Sequence, residues 1–136
     1  MQKKLTIFDT TLRDGAQSEE ISFSIEDKLK ILKALDNLGF RYIEAGNPCS
    51  NPKDLEFFRS INSNELKHAK LTAFGSTRRP KVQTEDDSNM QVVLKANTPA
   101  VAIVGKSWDF HVAKVIKTTL EENTKMIRDT LSLIHI

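Results

Sequence analysis

Apolar residues recur along this chain in two alternating rhythms, one of strand type and one of helix type. Leu5 to Phe8 is a short apolar run that breaks into the polar turn Asp9 to Gln17. Ser24, with Asp27 three residues on, is close to a capping box. Ile31, Leu35 and Leu38 then recur at i, i+4 and i+7, widened by Leu29 and Leu32, and Gly39 supplies a stop. This is the pattern of one amphipathic helix. Tyr42 to Gly46 reads as a strand ending in small residues, and Asn51-Pro52 opens a second helix with proline at its first position and Asp54 in its first turn. Leu55, Phe58 and either Ile61 or Phe57 are expected on its buried side.

The alternation continues to the far end. Lys70 to Gly75 is a third strand, closed by Ser76-Thr77-Arg78-Arg79-Pro80, and Met90 to Lys95 is a short helix. Pro99 to Gly105 is so continuously apolar that it predicts a strand buried on both faces. Two helical stretches follow, Phe110 to Lys117 and Leu120 to Thr130, the latter with Glu121 and Glu122 early and Lys125 and Arg128 late, as a helix dipole favours. Strand, loop and helix therefore repeat at the length of a βαβ unit, which implies a parallel sheet with right-handed crossovers. Each strand ends in chemically unusual residues: Arg13-Asp14, then Glu44, then Ser76-Thr77-Arg78, then Lys106 to Asp109 with His111. Chemistry gathered on the carboxyl ends of successive parallel strands is the layout of a (β/α)₈ barrel. The fold expected is α/β, a partial TIM barrel of about four βα units. Half a barrel leaves open sheet edges and uncovered apolar surface, so residues 1–130 are expected to be the N-terminal half of a longer catalytic domain.

Composition narrows the classes. With 136 residues, 39% of them apolar, and a formal net charge of only +2, the chain has the make-up of a globular domain and too little positive charge for a committed nucleic-acid binder. It has no apolar run that would span a bilayer and no signal-peptide pattern. Cys49 is the single cysteine, which excludes an intrachain disulfide and suits a reducing cytoplasm. It has no neighbouring histidine and is expected to be an inert thiol in a turn.

The first turn carries the densest chemistry. Asp14 offers oxygen ligands of the kind hard divalent cations prefer. Arg13 can set a planar, permanent charge against a carboxylate or a developing oxyanion. Gly15 is expected to let the backbone turn sharply, so that Gln17 faces the same point. An isolated Arg-Asp-Gly is more often a plain surface turn, and the neighbouring residues are what raise its interest.

Asp9-Thr10-Thr11-Leu12-Arg13-Asp14-Gly15-Ala16-Gln17 resembles the signature of the metal-dependent barrel family that includes 2-isopropylmalate, homocitrate and citramalate synthases and 3-hydroxy-3-methylglutaryl-CoA lyase. Ala73 to Arg79 and Gly105 to Val112 look most like the citramalate synthase branch, and Ser50 to Asp54 and Thr119 to Asn123 add to the match. The resemblance implies an acyltransferase that joins acetyl-CoA to pyruvate in a Claisen condensation, giving citramalate for isoleucine synthesis, in a cytoplasmic homodimer. It also implies a divalent metal (Mg, Mn or Zn) on Asp14, joined in the family by a His-x-His pair that this chain does not contain. Arg13 matches the catalytic arginine. Glu44 and Gln17 match strand-end positions that orient substrate or metal-bound water, Ser76 matches a substrate-binding position, and His111 matches a histidine of the substrate pocket. The alternatives within the family are a 2-isopropylmalate or homocitrate synthase, or a related enolate lyase or carboxyltransferase.

Each assignment has a plainer rival. Glu44 could pair with Arg13 for structure alone. Ser76 with Arg78 and Arg79 could touch CoA phosphates, yet adjacent arginines are more often a solvated loop. Trp108 and Phe110 are expected in core or lid packing rather than as a substrate platform. Leu131 to Ile136 departs from the family and is similar to a translated sequencing adaptor, so it is expected to be a non-native tail, and His135 is left out of the site. The 136-residue chain alone is expected to be an inactive half barrel.

Overall fold

Four parallel strands hydrogen-bond side by side in the order in which they occur in the chain. The computed structural model describes residues 5–61 and 65–135. Its elements are β1 (Phe8–Asp9), α1 (Ile25–Asn37), β2 (Tyr42–Gly46), α2 (Pro52–Ser60), β3 (Lys70–Ser76), α3 (Ser88–Lys95), β4 (Ala100–Val104) and α4 (Leu120–Ile134). A doubly wound sheet would reverse its strand order at a switch point. The unbroken order seen here is that of a barrel wall, as expected, and amounts to four βα units of a partial α/β barrel.

Local chemistry accounts for the helix boundaries. Ser24 and Asp27 form the capping box reciprocally, the Ser24 hydroxyl accepting from the Asp27 N–H at 3.1 Å and the Asp27 carboxylate accepting from the Ser24 N–H at 3.0 Å. At the other end, the Gly39 N–H donates to the Asp36 carbonyl and the Phe40 N–H to the Leu35 carbonyl, a Schellman closure that Gly39 allows with φ of 84°. Leu38 is therefore the cap residue, beyond the last helical turn, and stands 75% exposed instead of on the buried stripe. The residues that α1 buries are Lys28, Leu32 and Asp36, spaced four apart. In α2 both Phe57 and Phe58 are buried, with their rings edge to face at 5.6 Å. They join Leu12, Leu32, Ile43, Ala45, Leu71 and Ala73 in the core between helices and sheet.

The two strands that differ from expectation are those at the edges of the sheet among the described residues. β1 forms its ladder at Phe8–Asp9 rather than over Leu5 to Phe8, and Leu5 is exposed. β4 pairs only with β3 among the described residues, so its apolar run is half-buried, with Val104 exposed, and is not covered on both faces. The stretch Phe110 to Lys117 reduces to a π-type turn at His111–Val115. Helix α4 continues past Thr130 to Ile134. No helix among the described residues is long and apolar enough to cross a membrane.

The amino end of the sheet is tied by a buried carboxylate. Asp36 accepts from the backbone N–H groups of Lys67 (2.8 Å), His68 (2.8 Å) and Ala69 (2.7 Å), which lead into β3. Burial by itself pushes this carboxyl up, but the three donors hold it below the ordinary carboxylate value. A depressed folded-state value means that the ionised form stabilises the fold. That contribution is complete above the unfolded value of about 4 and is lost as pH falls through the lower folded value. Asp36→Ala in the full-length protein should cost on the order of 3 kcal/mol, because three backbone donors lose their acceptor. Urea unfolding at pH 7 and pH 3 checks both points: the gap between wild type and variant should be wide at neutral pH and should narrow in acid.

Candidate active site

The turn after β1 is built by its own backbone before any long-range contact is made. The Asp9 carboxylate accepts from the Thr11 N–H and hydroxyl, both at 3.0 Å, and the Thr10 carbonyl accepts from the N–H groups of Arg13, Asp14 and Gly15. Leu12 is fully buried and anchors the turn in the core. Gly15 has no left-handed backbone, and a Cβ there would meet only Thr11 at an ordinary 3.8 Å, so the turn does not depend on glycine as expected. The sharp bend comes instead from the three donors converging on Thr10.

Arg13 is where successive strands meet. Its Nε donates to Glu44 Oε2 at 2.5 Å, its Nη1 donates to Asp14 Oδ1 at 2.8 Å, and its guanidinium carbon lies 4.3 Å from the centroid of the Phe74 ring. Glu44, on β2, is 2% exposed, whereas Asp14 is largely open to solvent. A buried carboxylate demands a fixed cation, and a stacked ring restricts the plane of that cation. Nη2 of Arg13 has no partner among the described residues, which leaves donors free for an anionic ligand. Arg13 and Gln17 line one cleft of about 180 Å³, shared with Phe74, Asn47, Lys28 and Asp54.

The structure thus brings together Arg13, Asp14, Glu44 and Gln17. Ser76, exposed at the end of β3, and His111 lie outside the lining of that cleft. His111 packs against Trp108 with ring centroids 4.7 Å apart. Trp108 and Phe110 stack at 5.0 Å but are both more than half exposed, so they are not core packing among the described residues.

The two adjacent arginines differ: Arg78 is buried rather than in a solvated loop, whereas Arg79 is about half exposed and paired on one side. Arg78 is 3% exposed, and it donates to Glu122 at 2.8 Å and through two nitrogens to Asp129 at 3.0 and 2.8 Å, latching the loop after β3 to α4. Arg79 donates through its backbone and Nε to Asp87, a fully buried carboxylate that also caps α3. Burial raises the Asp87 carboxyl, and these donors, with the Asn89 and Met90 N–H groups, bring it below the ordinary value. Cys49 sits in a turn, its thiol donating to the Asn89 carbonyl at 3.1 Å, and burial with the nearby Asp87 charge pushes its pKa up, as befits an unreactive thiol.

One pair escaped the sequence pattern altogether. Lys28 and Asp54 form a buried ion pair beneath the cleft. The signal was present: Lys28 lies four residues before the buried Leu32, on an apolar stripe where an unpaired lysine would be costly.

As a metal centre the arrangement is partial. Asp14 fits as one hard oxygen ligand, its second oxygen being without a partner, but no three His, Cys, Asp or Glu side chains converge among the described residues.

Parallel strands in barrel order, with charged groups gathered where the strands end, define an α/β-barrel layout. The family model described as HMGL-like matches residues 4–135, and the chain belongs to that family. Hydroxymethylglutaryl-CoA lyase from Pseudomonas aeruginosa superposes with a TM-score of 0.69 at 19% identity, over 98% of this chain and 43% of that one. An HMG-CoA lyase from Acinetobacter baumannii, solved with coenzyme A and 3-methylmalate, gives 0.67 at 18% identity, over 96% of this chain and 41% of that one. Within the family the similarity falls in the citramalate synthase branch. The (R)-citramalate synthases of Aquifex aeolicus and Geobacter sulfurreducens are 53% and 50% identical over 96% and 92% of the chain, whereas 2-isopropylmalate synthase of Listeria welshimeri is 33% identical over 88%. The chain spans about a quarter of the length of those synthases, 25% and 24%.

If Arg78 is a latch, Arg78→Met in the full-length protein should lower the melting temperature and leave the KM for an acyl-CoA substrate unchanged. Scanning calorimetry with steady-state kinetics distinguishes this from a phosphate contact, for which KM would rise at unchanged stability.

Proposed function

We propose that the whole protein condenses acetyl-CoA with a 2-oxo acid, pyruvate in the first instance, as an early carbon–carbon bond-forming step toward isoleucine: the acetyl methyl gives up a proton to a base, its carbon bonds to the ketone carbon, the ketone oxygen takes a proton, and water hydrolyses the thioester to leave citramalate and free CoA. The observation that carries this is the Arg13 guanidinium, held by buried Glu44 and Phe74 beside Asp14, with donors left over. Similarity to proteins named (R)-citramalate synthase at 45–53% identity supports the choice of branch.

Condensation turns a ketone oxygen into an alkoxide. A preorganised donor aimed at that oxygen stabilises the transition state more than the ground state. Arg13 is that donor, and Glu44 keeps its plane from turning. Gln17, in the same cleft, orients the acid through its amide, and Ser76 and His111, which lie outside that cleft at the end of β3 and in the turn beyond β4, belong to the same proposal as further substrate contacts. A divalent cation (Mg, Mn or Zn), when bound, supplies Lewis-acid polarisation of the ketone, and Asp14 is the ligand this chain offers it. A homodimer in the cytoplasm belongs to the same proposal.

The full-length protein should release free thiol from acetyl-CoA in the presence of pyruvate. Arg13→Lys should reduce kcat by about 100-fold or more, since a point charge cannot replace the fork. Asp14→Ala should lose bound metal and turnover together. Near-wild-type turnover in either variant would overturn the assignment, and faster turnover with 2-oxoisovalerate than with pyruvate would move it to the 2-isopropylmalate branch.

A further inference from the structure

The strand that carries Glu44 is irregular at the position that follows it. Pairing with β3 runs Glu44 to Thr72 and then Gly46 to Ala73, so Ala45 is an extra residue and β2 bulges there. A bulge of this kind re-aims the side chains beside it. Gly46 has φ of 152°, and a Cβ built on it would overlap the Asp54 carboxylate, so the backbone is pressed against that group.

The ion pair that Asp54 forms with Lys28 holds the chain on both sides of Gly46. Asp54 Oδ2 accepts from the Asn47 N–H at 2.8 Å. Asp54 Oδ1 accepts from Lys28 Nζ, which also donates to the Ala45 carbonyl at 2.7 Å and lies 5.2 Å from the Phe57 ring centroid. Lys28 and Asp54 are 6% and 7% exposed and sit on the inner faces of α1 and α2. An apolar pair would fill such positions at least as stably, because desolvating two charges offsets most of their attraction. What the ions add is direction: one donor to a carbonyl before Gly46 and one acceptor for an N–H after it.

We propose that Lys28 and Asp54 are positioning residues for Arg13: their buried ion pair fixes the bulged end of β2 and so aims Glu44 at the Arg13 guanidinium. The proposal rests on the reading of Arg13 as the oxyanion donor, and it adds two residues that touch neither Arg13 nor Glu44. Without the pair, the Ala45 carbonyl loses its donor and the Glu44 carboxylate loses its fixed direction. Arg13 then samples orientations in which its free Nη2 misses the reacting oxygen.

The test uses the full-length protein with Lys28→Met, the double variant Lys28→Met/Asp54→Asn and, as a control at the opposite end of the sheet, Asp36→Asn. The double variant removes both charges while leaving an amide oxygen for the Asn47 N–H, so it stays informative if the single variant does not fold. Hydrogen–deuterium exchange is followed over residues 42–51, and kcat and KM are measured per folded molecule. Both Lys28 variants should exchange faster in that segment and lose kcat by about tenfold or more at unchanged KM, as misorientation of a donor predicts. Asp36→Asn should lower the melting temperature with kcat within about twofold of wild type. Exchange unchanged over 42–51, or kcat preserved while the segment loosens, would overturn the proposal. A rise in KM with kcat intact would overturn it as well, and would make Lys28 a substrate contact instead. A wild-type protein that does not condense the two substrates would overturn the functional reading alone, and the exchange measurement would then decide the anchoring by itself.

Discussion

A carboxylate that water does not reach must keep its cation, and the architecture of the candidate site follows from that single requirement at Glu44. Glu44 lies in the second strand, 2% exposed, and its partner Arg13 comes from the turn after the first. Separating them would leave a buried charge uncompensated, a loss of several kcal/mol. The pair therefore joins two strands whose backbone ladder is short, since β1 contributes only Phe8–Asp9. Phe74 from the third strand closes over the guanidinium, so one side chain registers three successive strand ends. The cation that stabilises the fold locally is the one left with spare donors, which is why structural and catalytic accounts of the Arg13–Glu44 pair do not compete.

The ionic contacts elsewhere follow the same logic with different partners. Asp36 is satisfied wholly by backbone N–H groups, Asp87 by N–H groups and Arg79, and Asp54 by Lys28 and one N–H. Each joins a helix to a loop or strand that the hydrophobic core does not itself align. Apolar contacts are non-directional; they hold α1 and α2 against the sheet but do not select one rotation of the chain at Gly46 or at Lys67. Directional acceptors do.

How much of this was legible in the sequence depended on the range of the interaction. The Asp9 to Gln17 turn could be read because its partners are neighbours, and the alternation of strand and helix followed from periodicity. Barrel order followed from chemistry recurring at successive strand ends. The i, i+4, i+7 spacing places Leu38 on the buried stripe, but the stop at Gly39 closes the helix at Asn37 and leaves Leu38 in the cap, where the stripe no longer applies. The apolar run of β4 suggested burial on both faces, but burial depends on neighbours that periodicity cannot supply. The sequence offers Arg78 as loop or ligand because its carboxylates, Glu122 and Asp129, stand on a helix far along the chain. Lys28 and Asp36 do not show in a count of apolar positions, to which a charge on an apolar stripe is invisible, although their spacing around Leu32 marks them as buried and hence paired.

The two ends of the sheet differ in a way that explains where chemistry can reside. At the amino end, Asp36 has its oxygens filled by three backbone donors that have no other partners to seek, an arrangement that stabilises and offers nothing outward. At the carboxyl end, arginine answers a carboxylate, and arginine has five donors to a carboxylate's two oxygens. Arg13 spends one nitrogen on Glu44 and one on Asp14, so its surplus is a consequence of using a fork where a point charge would have sufficed for neutralisation. Lysine at this position would still balance Glu44, and the strands would still be joined. On the proposed reading of the site, it is the guanidinium nitrogen left without a partner among the described residues, held in plane by Phe74, that lets a structural ion pair also receive an anion.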